Sequence, residues 1–392
     1  MIDCLEHFQA GTEVAITITN TLYDVPIIKE DEQMGKPLFE IMKEEDFEEV
    51  VYGYDKTSGL KAIISLHNTA LGPAFGGTRM MQYKSEDDAL QDVLKLGKAM
   101  TWKNAACGID FGGGKAVIIG DPHTEKTEDL LRAFGRMIEG LNGRYITGVD
   151  IGTDENDMII VRKETNYNVA MPESYGGGGS TSAATAYGCF EGIKAAAKEV
   201  FGDSDLTGKR VSIQGIGNIG SVLTRYLHEA GAKVVVCDVN EDAIKELGRK
   251  YPIDSVRVDA IYDQDVDIFA PCALGGILNS DTIPRLKCKL VAGSANNQLA
   301  DEALHAKMLM DHNIAYAVDF IMSAGGVINN SNQFIGYNRE RAYGQVAQIG
   351  NTIVRVFRMA EQNQITTVEA AMMLAQNRIN GAIQRKSYYL EK

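Results

Sequence analysis

The segment from Arg210 to Gly220 constrains the fold of this chain more than any other. Arg210-Val-Ser-Ile-Gln214 reads as a buried strand, and Gly215-Ile-Gly217-Asn218-Ile219-Gly220 follows at once. Beyond it, Ile219, Val222, Leu223, Tyr226 and Leu227 recur at helical spacing. Glycines allow the tight turn from strand to helix, and they let backbone N–H groups at the helix N-terminus approach a pyrophosphate. The G-x-G-x-x-G pattern alone is weak, because only three letters are fixed. Its context strengthens it. Lys233-Val-Val-Val-Cys237 reads as the next strand, and Asp238 ends it, eighteen residues after Gly220. A carboxylate there accepts hydrogen bonds from a ribose diol and repels a 2′-phosphate, which favours NAD over NADP. The competing reading is a purely structural turn with a solvated Asp238.

Around this unit the chain of 392 residues has ordinary globular composition, 45% hydrophobic and 23% charged. That is enough apolar material for two cores without disulfide staples. The net charge of -14 argues against nucleic acid or an anionic membrane as partner, since both reward clustered Lys and Arg. Cys4, Cys107, Cys189, Cys237, Cys272 and Cys288 are scattered without a C-x-x-C pair, as expected of free thiols in a reducing compartment. The acidic start, with Asp3 and Glu6, does not read as a secretory signal. No apolar run reaches membrane-span length, and no histidine pair has metal-ligand spacing. The expectation is a cytoplasmic protein without a metal site.

Four units are expected. Residues 1–37 form an N-terminal extension with a strand-like Val14–Thr19; residues 38–180 a substrate and catalytic domain; residues 181–345 a Rossmann domain; and residues 346–392 helices that return to the first domain. The boundary at 180 rests on Gly176-Gly-Gly-Gly179, read as a hinge. In the first domain Leu60–Leu66 reads as a strand and Ser85 as the start of a helix. Gly108–Lys115 reads as a loop before the apolar run Ala116–Ile119.

A chemical cluster sits in that first domain. Lys103 ends the Ser85 helix, Lys115 follows three glycines and Asp150 ends Tyr145-Ile-Thr-Gly-Val-Asp150. A glycine-rich loop before a lysine suggests a P-loop, but the first glycine of that motif would fall at Ile109, and Ala116 replaces the Ser or Thr that holds Mg²⁺. Two lysines and an Asp near a nicotinamide suggest carboxylate binding with acid/base work. Taken singly, each also reads as a solvated surface charge.

Long motifs then carry a resemblance. Leu71-Gly-Pro-Ala-Phe-Gly-Gly-Thr-Arg79, Met100-Thr-Trp-Lys-Asn-Ala, Gly112-Gly-Gly-Lys-Ala-Val-Ile-Ile-Gly-Asp-Pro122, Pro271-Cys-Ala-Leu-Gly-Gly276 and Gly293-Ser-Ala-Asn-Asn-Gln298 resemble the leucine/phenylalanine/valine dehydrogenase branch of the glutamate dehydrogenase superfamily. The match runs from about residue 38 to the C-terminus. It implies an α/β protein of two domains, catalytic and Rossmann-type, with C-terminal helices packed back on the first. It implies reversible NAD-dependent oxidation of an apolar L-amino acid to its 2-oxo acid and ammonia, in a homo-oligomer of dimer to octamer size.

The resemblance also implies roles. Lys103 pairs with the substrate carboxylate, and Gly76 and Gly77 match the loop beside that carboxylate. Lys115 activates the water that attacks the imine carbon, and Asp150 moves protons on the amino group and the carbinolamine. Thr185 lies near the nicotinamide amide, and Asn297 helps to hold both substrate and nicotinamide. Gly215, Gly217, Asn218, Ile219 and Gly220, with Asp238, Val239, Cys272, Ala273 and Leu274, complete the expected cofactor contacts.

The side-chain pocket falls at Phe75, Gly148, Val149, Val327 and Asn330. Phe75 offers no cation for a distal carboxylate, which argues against glutamate. Gly148 replaces the alanine of leucine enzymes and makes room for an aromatic ring, whereas Phe75 fills space and Asn330 adds a polar group. Val318-Asp319 and Ser323-Ala-Gly-Gly326 depart from the family's Pro-Asp and Asn-Ala-Gly-Gly. Phenylalanine is the expected substrate, then leucine and valine. Two alternatives stay open: an NAD-binding homologue impaired in catalysis, and a member with an unusual aromatic or polar-aromatic substrate.

Overall fold

A computed structural model describes residues 36–390. The strand-like Val14–Thr19 lies outside the described residues. Two sheets organise the rest. The first contains β1 (Glu49–Asp55), β2 (Leu60–Asn68), β3 (Ala74–Met81), β4 (Gly112–Ile119) and β5 (Tyr145–Val149), in the order β1-β2-β4-β3-β5. β1 and β2 form an antiparallel hairpin, β2 pairs antiparallel with β4, and β3 runs parallel to β4 and β5 on either side. α1 (Leu38–Glu45), α2 (Glu86–Ala106), α3 (Glu128–Glu139) and α4 (Glu155–Arg162) surround it.

The two-residue alternation of the strands sorts this core into layers. Ile63 of β2 and Val117 of β4 join Val93 and Leu94 of α2 on one face. Ile64 and Ile118 point the other way, against Phe134 and Ile138 of α3. α2 starts where the sequence indicates: the Ser85 side chain caps the N–H of Asp88 at 3.0 Å, and Glu86, Asp87 and Asp88 favour the positive end of the helix dipole.

Two sequence expectations are corrected here. Gly112–Lys115 is not loop but the first half of β4, and Gly76 and Gly77 lie inside β3. The glycines are needed for close approach rather than for turning. A Cβ on Gly113 would sit 2.1 Å from the backbone nitrogen of Thr101 in α2, and one on Gly76 would sit 1.9 Å from the carbonyl oxygen of Gly114. Glycine is disfavoured in strands by entropy, so a local reading takes such a run as loop.

The second sheet is wholly parallel. It contains β6 (Arg210–Gln214), β7 (Lys233–Cys237), β8 (Ile253–Ser255), β9 (Ile268–Pro271), β10 (Leu290–Val291) and β11 (Ala315–Tyr316), in the order β11-β10-β9-β6-β7-β8. This is the doubly wound Rossmann order. The strand order reverses between β9 and β6, so the ligand crevice opens beyond their carboxyl ends. α5 (Thr181–Phe201), α6 (Gly220–Glu229), α7 (Glu241–Lys250) and α8 (Glu302–Asp311) accompany this sheet.

The chain then runs through α9 (Asp319–Met322), α10 (Gly325–Ser331), α11 (Arg339–Val346), α12 (Gln348–Asn363) and α13 (Thr367–Leu390). α10 and α12 pack on α5, while α13 reaches back to α2. There Arg378 donates to the carbonyl of Ile109 at 2.6 Å and pairs with Asp110. The glycine run before α5 is sterically specific as well: a Cβ on Gly177 would sit 1.8 Å from the Met171 carbonyl, and Gly176 and Gly179 have φ of +76° and +63°. No helix among the described residues is long and apolar enough to cross a membrane.

The β4–α2 contact is testable. Gly113→Ala should cost about 1–3 kcal/mol, since neither the helix backbone nor the central strand can yield. Thermal unfolding should show a clear drop in Tm; an unchanged Tm would mean that α2 does not rest on β4 as described.

Candidate active site

Lys115 lies in β4 and Asp150 directly follows β5, two strands that are not paired with each other, since β3 runs between them. Their side chains meet over β3 because of its glycines. The register runs from Phe75 opposite Gly113 to Thr78 opposite Ala116, which sets Gly77 beside Lys115. A Cβ on Gly77 would lie 3.2 Å from the Cβ of Asp150 and 2.3 Å from the Val149 carbonyl. With that space left open, the Lys115 ammonium reaches Asp150 Oδ2 at 3.0 Å. Arg79, two residues further along β3, places Nε on the same oxygen at 3.0 Å. The Asp150 backbone is held too: its N–H donates to Thr153 Oγ1, whose hydroxyl donates to the Thr78 carbonyl. Burial pushes the Asp150 carboxyl up, but Lys115 and Arg79 outweigh it and hold the group below the usual carboxylate range.

Lys103, on the last turn of α2, points across to the other sheet's side of the molecule. Its ammonium donates to Ser323 Oγ at 3.0 Å and to Asn296 Oδ1 at 3.2 Å. The Ser323 hydroxyl in turn donates to Asn296 Oδ1. Ser323, noted in the sequence only as a departure, therefore touches the candidate substrate-carboxylate lysine directly. Burial lowers the proton affinity of Lys103, opposed by Asp319 and reinforced by Lys115. Asp319 is buried and accepts N–H bonds from Gln298 and Phe320. Asn297, the residue expected here from the sequence, has a left-handed φ of +51°, and its carbonyl accepts the N–H of Gly276; its neighbour Asn296 is the one that meets Lys103.

The glycine loop lies at the carboxyl end of β6, at the switch point. Gly215 has φ +89°, and a Cβ there would meet Ala273 at 2.5 Å. A Cβ on Gly220 would sit 2.0 Å from the Gly215 carbonyl, so the first turn of α6 can come this close only as glycine. Gly217 has open space around its Cβ position, and Asn218 beside it is exposed. Ile219 is half-buried against the Rossmann core. Asp238 accepts the N–H of Ile216 on one oxygen and that of Asn240 on the other, both at 2.8 Å, so its carboxylate is fixed beside the loop. Val239 and Leu274 are exposed nearby, and Cys272 continues β9 through its N–H bond to the Gln214 carbonyl. Thr185 is buried; its hydroxyl donates to Thr181 and accepts the N–H of Gly326, so it clamps α10 to α5. An open glycine face at a helix N-terminus beside a fixed carboxylate fits a dinucleotide.

The expected side-chain pocket also converges. Phe75 and Val327 belong to one apolar cluster with Ile146, Val169 and Phe111. Phe111 lies 5.2 Å from Phe75 and 5.8 Å, edge-on, from Phe334. A Cβ on Gly148 would come within 3.3 Å of Val169 and 4.0 Å of Asn330 Nδ2, so the glycine frees a methyl's worth of space at Asn330. Asn330 is held by Gln333, and Val149 follows Gly148 at the end of β5. Phe111, Phe334, Arg79 and Asn296 escaped the sequence reading. Phe111 had a signal, standing next to the glycine run; Arg79 had none without the register that pairs β3 with β5.

The chain is similar to known proteins over most of its length. Residues 48–167 match the family profile described as Glu/Leu/Phe/Val dehydrogenase, dimerisation domain. Residues 176–247 and 236–386 match Glutamate/Leucine/Phenylalanine/Valine dehydrogenase. Leucine dehydrogenase of Thermoactinomyces intermedius is 49% identical over 354 residues, 90% of this chain and 96% of its own length. Phenylalanine dehydrogenase of Bacillus thermotolerans is 45% identical over 90% of this chain and 93% of its own. Among solved structures, L-tryptophan dehydrogenase from Nostoc punctiforme has a TM-score of 0.79 at 44% identity, covering 88% of this chain and 99% of that one.

The Asp150 pairing makes a pH prediction. A carboxyl lowered in the folded state contributes stability that is fully present above its unfolded value of about 3.9 and is lost as pH falls through the lowered value. Asp150→Asn should lower the urea midpoint at pH 7, with the gap to the native chain narrowing below pH of about 4. A gap of constant size across that range would contradict the pairing.

Proposed function

Because the chain belongs to the Glu/Leu/Phe/Val dehydrogenase family, we propose that it oxidises an apolar L-amino acid, aromatic by preference, with NAD as acceptor. The reaction is L-amino acid + NAD⁺ + H₂O → 2-oxo acid + NH₄⁺ + NADH + H⁺. The observation that carries this reading is the convergence of Lys115, Asp150 and Lys103, with Lys103 bonded across to Ser323.

When bound, NAD would supply the acceptor for the hydride that leaves the substrate Cα. The protein's residues do the rest. Lys103 pairs with the substrate carboxylate, and the arriving anion favours the charged form that burial disfavours. Lys115, acting as the free amine, takes the proton of the water that adds to the imine carbon and becomes the ammonium. Asp150, 3.0 Å from Lys115, first takes a proton from the substrate ammonium, which frees the nitrogen lone pair for hydride departure, and later returns it to the carbinolamine nitrogen so that ammonia leaves. Gly76 and Gly77 keep the floor of this site free of side chains. On the cofactor side, Gly215, Gly217, Asn218, Ile219 and Gly220 would cradle the pyrophosphate, Asp238 with Val239 would hold the adenosine ribose, and Cys272, Ala273 and Leu274 would flank the crevice. Thr185 and Asn297 sit towards the nicotinamide. The fixed Asp238 carboxylate supports NAD over NADP.

The aromatic preference rests on Gly148 and on the ring-lined cluster of Phe75, Phe111 and Phe334. A flat ring packs against such edges and faces better than a branched aliphatic chain. Val327 and Asn330 close the pocket, and Asn330 Nδ2 offers a donor to a polar-aromatic ring. Phenylalanine is the first candidate, with leucine and valine weaker. We further propose a cytoplasmic homo-oligomer with no nucleic-acid or membrane partner; the dimerisation profile and the five free cysteines among the described residues support this.

A panel of twenty amino acids with NAD and NADP tests the proposal. NADH formation should be strongest with an aromatic substrate and weak with NADP; no turnover on any of them would sink it. Gly148→Ala should move preference from aromatic towards leucine by about 10- to 200-fold, the span that one methyl commands in an apolar pocket. An unchanged ratio would remove Gly148 from the pocket.

A further inference from the structure

Arg79 has no part in the reaction as written above, yet it is built into the site between two carboxylates. Its Nε donates to Asp150 Oδ2 at 3.0 Å. Its Nη1 forks onto both oxygens of Asp92, at 3.1 and 2.9 Å. Asp92, on α2, also accepts the Tyr83 hydroxyl at 2.6 Å. Arg79 and Asp92 are both largely buried, with side chains 17% and 24% exposed. The chain Tyr83–Asp92–Arg79–Asp150 therefore links the end of β3, the middle of α2 and the end of β5.

The geometry at Asp150 is one-sided. Lys115 and Arg79 both take Oδ2, and Oδ1 accepts no hydrogen bond among the described residues. We propose that Arg79 is a positioning residue: held by Asp92 and Tyr83, it pins Oδ2 of Asp150 so that Oδ1 faces the substrate nitrogen. This rests on the dehydrogenase reading of the site. Lys115 alone cannot do this work, because in that reading it must turn to the attacking water and give up its hold during the cycle. A guanidinium is suited to it, since its planar fork bridges two carboxylates in fixed directions and does not deprotonate.

The charge balance gives the sign of the test. The cations facing Asp150 are Lys115 from β4, Arg79 from β3 and Lys103 from α2; behind Arg79 stand Asp92 and the Tyr83 hydroxyl, and the Tyr145 phenol lies on β5. Removing Arg79 leaves Asp150 with less positive charge, so its proton affinity rises. Arg79→Gln should lower kcat about 100-fold, the effect of a misplacement near 1 Å, and move the acid limb of the pH profile upward, with NADH affinity unchanged. Arg79→Lys keeps the charge but cannot span both carboxylates. It should keep the acid limb near its native position while kcat stays reduced.

A merely structural salt bridge would lower Tm in both variants and leave the kcat of a folded Arg79→Lys native; that result overturns the proposal. So does a folded Arg79→Gln with native kcat. If the native chain turns over no amino acid, the dehydrogenase reading fails separately. The carboxyl titration of Asp150, followed by ¹³C NMR and identified with Asp150→Asn, then decides: a higher value in Arg79→Gln supports the role of Arg79, and the same value in both chains overturns it.

Discussion

The ion pair between Lys115 and Asp150 depends on a bare glycine position in the strand between them. β3 separates β4, which carries Lys115, from β5, which leads into Asp150; Gly77 between them leaves room for Val149 and the Asp150 Cβ, and the ammonium reaches the carboxylate at 3.0 Å. The same economy recurs around it. Gly113 lets α2 settle on β4, which brings Lys103 to the cleft, and Gly76 lets β3 lie against β4. Glycine costs about 1 kcal/mol against alanine within an element, so this sheet gives up intrinsic stability where its chemistry is placed.

The second sheet supplies the opposite wall by a different device. There the backbone does the positioning: the strand order reverses at β6, a glycine turn opens α6, and Asp238 is locked by two N–H bonds beside that turn. The two walls meet at Lys103, whose ammonium bonds to Ser323 and Asn296 across the cleft. A substrate carboxylate at Lys103 would compete with those two neutral acceptors, and a charged hydrogen bond is the stronger one.

The Rossmann half was legible because its signals are local. Strand, glycine turn, helix and terminal Asp238 follow within thirty residues, and each has its own periodicity or steric rule. The first sheet was legible only in pieces. Ser85 announced α2 through its cap, but the glycines of β3 and β4 read as loop, because their reason lies in a helix and a strand far away in sequence. Arg79 and Asp150 are 71 residues apart, and no spacing rule joins them. Phe75, Gly148, Val327 and Asn330 were named by resemblance, and the fold gathers them beside Phe111 and Phe334, which were not named.

The central claim is that these two walls act on one substrate, with the α-hydrogen leaving as hydride. L-Phenylalanine deuterated at Cα, incubated with NAD, tests this most directly by mass and NMR analysis of the products. The account predicts one deuterium at C4 of the nicotinamide for each ammonia and each 2-oxo acid released. Ammonia released without deuterium in the nucleotide, or deuterium washed into water, would contradict it.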